Sequence, residues 1–137
     1  MKRVFVDTSA WYAVAHREDP SHGATLETLR RWQGRLVTSN FIFDELVVLA
    51  LKRGGHGAAV RIGEELRNPD TVDLVRLLPE DEDEAWAHFK RHKDKGYSFT
   101  DCTSFALMRR LHIPTAVATD KHFRQAGFDI EPSAVRP

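Results

Sequence analysis

VFVDTSAW (residues 4–11) runs three apolar residues straight into a carboxylate, Asp7, followed by two small hydroxyl residues. Val4-Phe5-Val6 is short and apolar with β-branched residues, the pattern of a strand buried on both faces of a parallel sheet. An acid at the end of such a run is expensive to bury unless something pairs with it. The remaining sequence supplies both the sheet that receives this strand and the groups that meet its acid.

Similar apolar runs recur at LVTS (36–39), TVDLVRLL (71–78), TAVAT (115–119) and FDI (128–130). Between them, residues 9–16, 21–33, 41–53, 57–67, 80–94 and 101–112 have helical character, with a short turn at 121–126. Strands alternating with helices predict an α/β fold, a parallel sheet covered by helices on both faces. The punctuation agrees. Asp19-Pro20-Ser21 and Asn68-Pro69-Asp70 are breaks, Gly54-Gly55 closes the third helix, and Pro114 precedes a strand. PEDEDE (79–84) reads as a helix start, where proline fits the first turn and the dipole attracts acids.

A chain of 137 residues and 15.6 kDa is read as one domain spanning 1–137, enough for one sizeable core. Its 42% apolar and 29% charged residues are ordinary for a globular protein. No stretch reaches the roughly 18 apolar residues of a membrane helix, and the start lacks a signal-peptide core, so a cytoplasmic protein without membrane contact is expected. The single cysteine, Cys102, has no disulfide partner and reads as a small core hydrophobe. Twenty basic residues balance twenty acidic ones, so no global basic field advertises nucleic acid. Any such contact falls to local patches, RRWQGR (30–35), KRHKDK (90–95) and Arg109-Arg110, each of which also reads as a solvated helix face.

Four acids stand in informative places. Asp7 and Asp120 each follow a predicted strand, at the carboxyl edge where open parallel sheets bind ligands. Thr100 is the expected N-cap of TDCTSFALMRRLH (100–112), which puts Asp101 in the first turn at the head of a stripe with Phe105 and Met108. In NFIFDELVVLALKR (40–53), Glu45 shares a face with Phe41, Val48 and Leu49, but the helix is apolar almost all round and periodicity leaves Asp44 an equal candidate. Two unit charges about 4 Å apart repel by about 4 kcal/mol at an effective dielectric near 20. A hard divalent cation, Mg²⁺ or Mn²⁺, offsets this while keeping the carboxylates ionised.

These stretches resemble the PIN-domain ribonucleases, and among them the VapC-type toxins of toxin–antitoxin pairs. VFVDTSAWYAV (4–14) is similar to the family's opening strand and first acid, TSNFIFDEL (38–46) to the segment carrying the second, and YSFTDCTSFALMRRLHIPTAVATDKHFRQAGF (97–128) to the third acid, helix, strand, fourth acid and closing tail. The resemblance implies a PIN-like three-layer α/β/α sandwich with five parallel strands in the order 3-2-1-4-5. It assigns catalysis and metal binding to Asp7, Glu45, Asp101 and Asp120, choosing Glu45 over Asp44. It gives Thr8, Ser9 and Ser104 supporting hydrogen bonds to a ligand carboxylate or a metal-bound water.

On this reading the chain is an endoribonuclease that uses one or two Mg²⁺ or Mn²⁺ ions to hydrolyse single-stranded or looped RNA. Water as nucleophile implies products with 5′-phosphate and 3′-hydroxyl ends. The resemblance also implies a homodimer and a small VapB-type antitoxin partner. A helix as apolar as 41–51 lies wholly inside or exposes a patch for association. The seven histidines are scattered over different elements and suggest no acid/base pair. A haloacid-dehalogenase-type phosphatase needs an Asp where Ser9 stands, and a receiver domain needs an acidic pair that is missing. The alternative from another class is a non-catalytic RNA- or protein-binding module that retains the fold.

Overall fold

The computed structural model describes residues 1–133, so the last four residues of the expected 1–137 domain lie outside it. Five strands form one parallel sheet: β1 (Val4–Val6), β2 (Leu36–Ser39), β3 (Asp73–Val75), β4 (Thr115–Val117) and β5 (Asp129–Glu131). Their order is β3-β2-β1-β4-β5, as the resemblance implies. Helices complete a three-layer α/β/α sandwich: α1 (Thr8–Ala15), α2 (His22–Arg31), α3 (Asn40–Leu66), α4 (Pro79–Arg91), α5 (Phe99–Leu111) and the single turn α6 (His122–Gln125).

The apolar run that opens the sequence is the centre of this sheet. Val4, Phe5 and Val6 are fully buried, with β2 on one side and β4 on the other. Strand order reverses at β1, because the chain moves outward through β2 and β3 and then returns to add β4 and β5 on the opposite side. The carboxyl ends of β1 and β4 are therefore the edge at which open parallel sheets bind ligands. The amide of Asp7 extends the pairing by donating to the Val117 carbonyl at 3.0 Å. Phe5, Phe105 and Phe123 form the aromatic heart of the core, with Phe105 and Phe123 edge to face at 5.1 Å.

Some boundaries differ from the sequence reading. Helix α5 begins at Phe99, with Ser98 rather than Thr100 as its N-cap. Ser98 Oγ accepts the Asp101 amide and Asp101 Oδ2 accepts the Ser98 amide, each at 2.9 Å, a capping box that fixes the start two residues early. The expected strand 71–78 shortens to residues 73–75, because beyond it the Leu77 amide turns to the Asn40 side chain at 2.9 Å and Pro79 opens α4. The expected helix 80–94 stops at Arg91 and tightens into a 3₁₀ turn, Lys93–Lys95, that ends on left-handed Gly96.

The expected helices 41–53 and 57–67 join as α3, but Gly55 inside it has φ 87° and ψ 178°, a conformation only glycine adopts without strain. The chain kinks there and the second half returns along the first, close enough that a Cβ on Gly63 would touch the Phe43 ring at 3.6 Å. One side of the first half, Ile42, Leu46 and Ala50, enters the core. Val48 and Leu51 stay exposed, so this apolar helix does not lie wholly inside. Cys102 is buried, as expected, and burial pushes its thiol up to about 11. Among the described residues no helix is long and apolar enough to cross a membrane.

Candidate active site

Each acid is delivered by a different element. Asp7 is the N-cap of α1 directly after β1, and its Oδ2 accepts the Ser9 amide at 3.2 Å and the Ser9 hydroxyl at 2.7 Å. Asp120 follows β4, and its Oδ1 accepts the His122 amide at 3.0 Å. Asp101 sits in the first turn of α5, where its Oδ2 accepts the Ser98 amide and lies 2.8 Å from His122 Nδ1. Glu45, in the second turn of α3, accepts the Thr8 hydroxyl on Oε1. Asp44 beside it is exposed, whereas Glu45 is half-buried.

A common pattern results. Every one of the four carboxylates is fixed through a single oxygen. Among the described residues, Asp7 Oδ1, Glu45 Oε2, Asp101 Oδ1 and Asp120 Oδ2 accept no hydrogen bond. No lysine or arginine pairs with any of the four acids among the described residues. No three acid, histidine or thiol side chains among those residues close into a ready-made metal cage. What the acids share is a field. Burial pushes the Asp7 carboxyl up to about 7, and the charges of Asp120 and Asp101 add to the rise. Burial and the same two acids raise Glu45, while the Thr8 hydroxyl opposes the shift. Burial also raises Asp101, against the Ser98 amide and His122.

Such a group fits a hard cation. All donors are carboxylate oxygens, one oxygen of each is unengaged, and the electrostatics favour positive charge. Ser9 Oγ accepts the Thr119 amide at 3.0 Å while donating to Asp7, which joins the first-acid turn to the fourth-acid loop. Thr8 couples Asp7's helix to Glu45. The third expected supporter, Ser104, is fully buried and its hydroxyl finds no hydrogen-bond partner among the described residues.

The sequence reading passed over His122. Its position two residues after Asp120 is the one sequence signal, and that spacing alone does not fix where the ring turns. Of the three basic patches, Arg109 and Arg110 are paired with Glu84 and Asp81, whereas Lys90, Arg91 and Lys93 carry no ion pair among the described residues.

The PIN domain family model matches residues 4–129, and the chain belongs to that family. It is 38% identical over 128 residues to the 23S rRNA-specific endonuclease VapC20 of Mycobacterium tuberculosis, covering 91% of this chain and 95% of that protein. The crystal structure of M. tuberculosis VapC20, a sarcin–ricin-loop-cleaving toxin, matches with a TM-score of 0.85 at 35% identity, over 91% of this chain and 95% of that one. The crystal structure of DNA-bound VapBC from Salmonella typhimurium shares the fold, with a TM-score of 0.72 at 15% identity, over 96% of this chain and 98% of that one.

Proposed function

We propose that this chain is a metal-dependent endoribonuclease, the toxin of a VapBC-type pair, which acts in the cytoplasm on a structured loop of ribosomal RNA. The observation that supports this reading is the one-oxygen anchoring of Asp7, Glu45, Asp101 and Asp120, with Asp7 and Asp120 following the two strands that meet where the strand order reverses. The similarity to VapC20 over nearly the whole chain supports the substrate class.

The cofactor is Mg²⁺ or Mn²⁺, as one or two ions held by the four acids; when bound, it supplies a Lewis acid and lowers the pKa of water. The protein's own share is positional. Ser9 holds Asp7, Thr8 holds Glu45, and the α5 capping box holds Asp101, so the side chains lose little freedom when substrate arrives. Lys90, Arg91 and Lys93, exposed and outside any ion pair among the described residues, are among the cations open to an RNA backbone. Water attack with departure of the 3′-oxygen leaves 5′-phosphate and 3′-hydroxyl ends.

The decisive assay incubates an rRNA fragment containing the sarcin–ricin loop with the wild-type chain and Asp7→Asn, in Mn²⁺, Mg²⁺ or EDTA, and maps the new 5′ ends. Cleavage by the wild type in metal alone is expected. Equal cutting in EDTA, or by Asp7→Asn, would sink the proposal. Association as a homodimer is supported by exposed Val48, Leu51, Trp86 and Phe89 and is tested by sedimentation. Co-expression with the open reading frame next to its own tests for the antitoxin.

A further inference from the structure

We propose that His122 is a positioning residue that sets the carboxylates of Asp101 and Asp120 in one fixed relation, an inference that rests on reading those acids as cation ligands. The residue contacts both through different parts of itself. Its backbone amide donates to Asp120 Oδ1 at 3.0 Å, and its ring Nδ1 lies 2.8 Å from Asp101 Oδ2. Two acceptors do not approach so closely without a proton between them, so Nδ1–H donates and the carboxylate accepts.

The second contact bridges elements. Asp101 belongs to α5 and Asp120 to the loop after β4, and the backbone between them runs through the whole of α5 and a buried strand. The amide of residue 122 is the one donor that orients Asp120 among the described residues, and it survives substitution; the imidazole ties that residue to Asp101, whose Oδ2 would otherwise keep only the Ser98 amide.

The ring is itself held. Tyr97 meets it edge to face at 5.6 Å and 89°, and Tyr97 in turn packs edge to face on Phe105 at 5.1 Å. Phe123, the next residue, is fully buried against Phe5 and Phe105 and pins the single turn that carries His122. The side chain is 25% exposed, so the ring stands at the surface beside Asp101 rather than inside the core. Because it binds Oδ2, the oxygen that Ser98 also engages, it leaves Oδ1 for a cation. Residues that hold a ligand's second oxygen in this way tune metal affinity by about 10–100-fold.

The test is Mn²⁺ affinity, measured by electron paramagnetic resonance on the full chain, for the wild type and for His122→Ala, His122→Asn and His122→Gln. Asparagine places an amide nitrogen near the Nδ1 position; glutamine places one near Nε2. His122→Ala and His122→Gln are expected to bind Mn²⁺ about 10-fold more weakly or worse, and His122→Asn to stay within about threefold of wild type. Wild-type affinity in the alanine variant overturns the role, as does an asparagine variant as weak as the glutamine one. If the alanine variant fails to fold, the asparagine–glutamine comparison still decides. A wild-type chain that binds no Mn²⁺ removes the cation reading itself, an outcome distinct from a binding chain that does not need His122.

Discussion

The hydroxyl of Ser9 donates to Asp7 Oδ2 at 2.7 Å and at the same time accepts the backbone amide of Thr119 at 3.0 Å. One side chain therefore sets the rotamer of the first acid and fastens the loop carrying the fourth. Ser9→Ala removes both bonds and should destabilise the metal-free chain by about 1–2 kcal/mol. Ser9→Thr retains the hydroxyl. Urea denaturation and divalent-cation titration of both variants check this: the alanine variant should lose stability and cation affinity together, and the threonine variant should keep most of each.

Asp7 gives the chain a pH dependence of defined sign. Its carboxyl lies at about 7 in the fold against an ordinary 3.8, mainly through burial. A group raised in this way favours the folded state fully below its unfolded pKa, and that contribution disappears as the pH rises through its folded pKa. In EDTA the thermal midpoint should therefore fall between about pH 4 and about pH 8 by more in the wild type than in Asp7→Asn. The amide variant should be the more stable of the two at the alkaline end, while being inactive. Saturating Mn²⁺ should raise the wild-type midpoint and leave Asp7→Asn much less affected, by ligand linkage. Identical pH profiles for the two proteins would refute the burial argument.

The parts of the candidate site are unequally legible in the sequence. Strand periodicity exposed Asp7 and Asp120, because an apolar run ending in an acid is a local signal, and the family resemblance supplied the strand order that makes them neighbours. Glu45 could not be separated from Asp44 by periodicity, because α3 is apolar around most of its first half. Its distinguishing contact, with Thr8, spans 37 residues and exists only after the sheet has formed. The start of α5 was misplaced for a related reason. Ser98 and Thr100 are both competent caps, and only the reciprocal bonds with Asp101 choose between them. His122 was lost among scattered histidines, since nothing local shows that its ring turns back toward α5.

Cys102 should behave as packing rather than chemistry. Its thiol is wholly buried and pushed up to about 11 by burial, with Asp101 adding to the rise. At neutral pH the folded chain should react with iodoacetamide at least about 100-fold more slowly than the same chain in denaturant, since the thiolate is the nucleophile. Mass spectrometry of time-quenched samples measures both rates. Cys102→Ser should leave cleavage intact in kind but lower stability, because it puts a hydroxyl in an apolar site.

The last prediction concerns the acids of PEDEDE, which the sequence presents as a simple helix start. Asp81 does more than complement the α4 dipole. Its Oδ2 accepts the Leu78 amide at 2.9 Å, and both its oxygens accept from Arg110 Nε, at 2.9 and 3.0 Å, so the start of α4 is clamped to the end of α5. The carboxylate is buried, whereas the guanidinium is partly exposed. Removing the arginine therefore strands a buried charge, while removing the acid loses both a cap and a pair. Asp81→Ala should cost about 2–4 kcal/mol and Arg110→Ala about 1–3 kcal/mol. The double variant should cost less than the sum, since the two share one interaction. Because α5 also carries Asp101, the Asp81→Ala chain should weaken cation affinity only to the extent that it loosens the helix. Chemical denaturation of the four-member cycle gives the coupling directly, and strict additivity would show that the clamp contributes nothing.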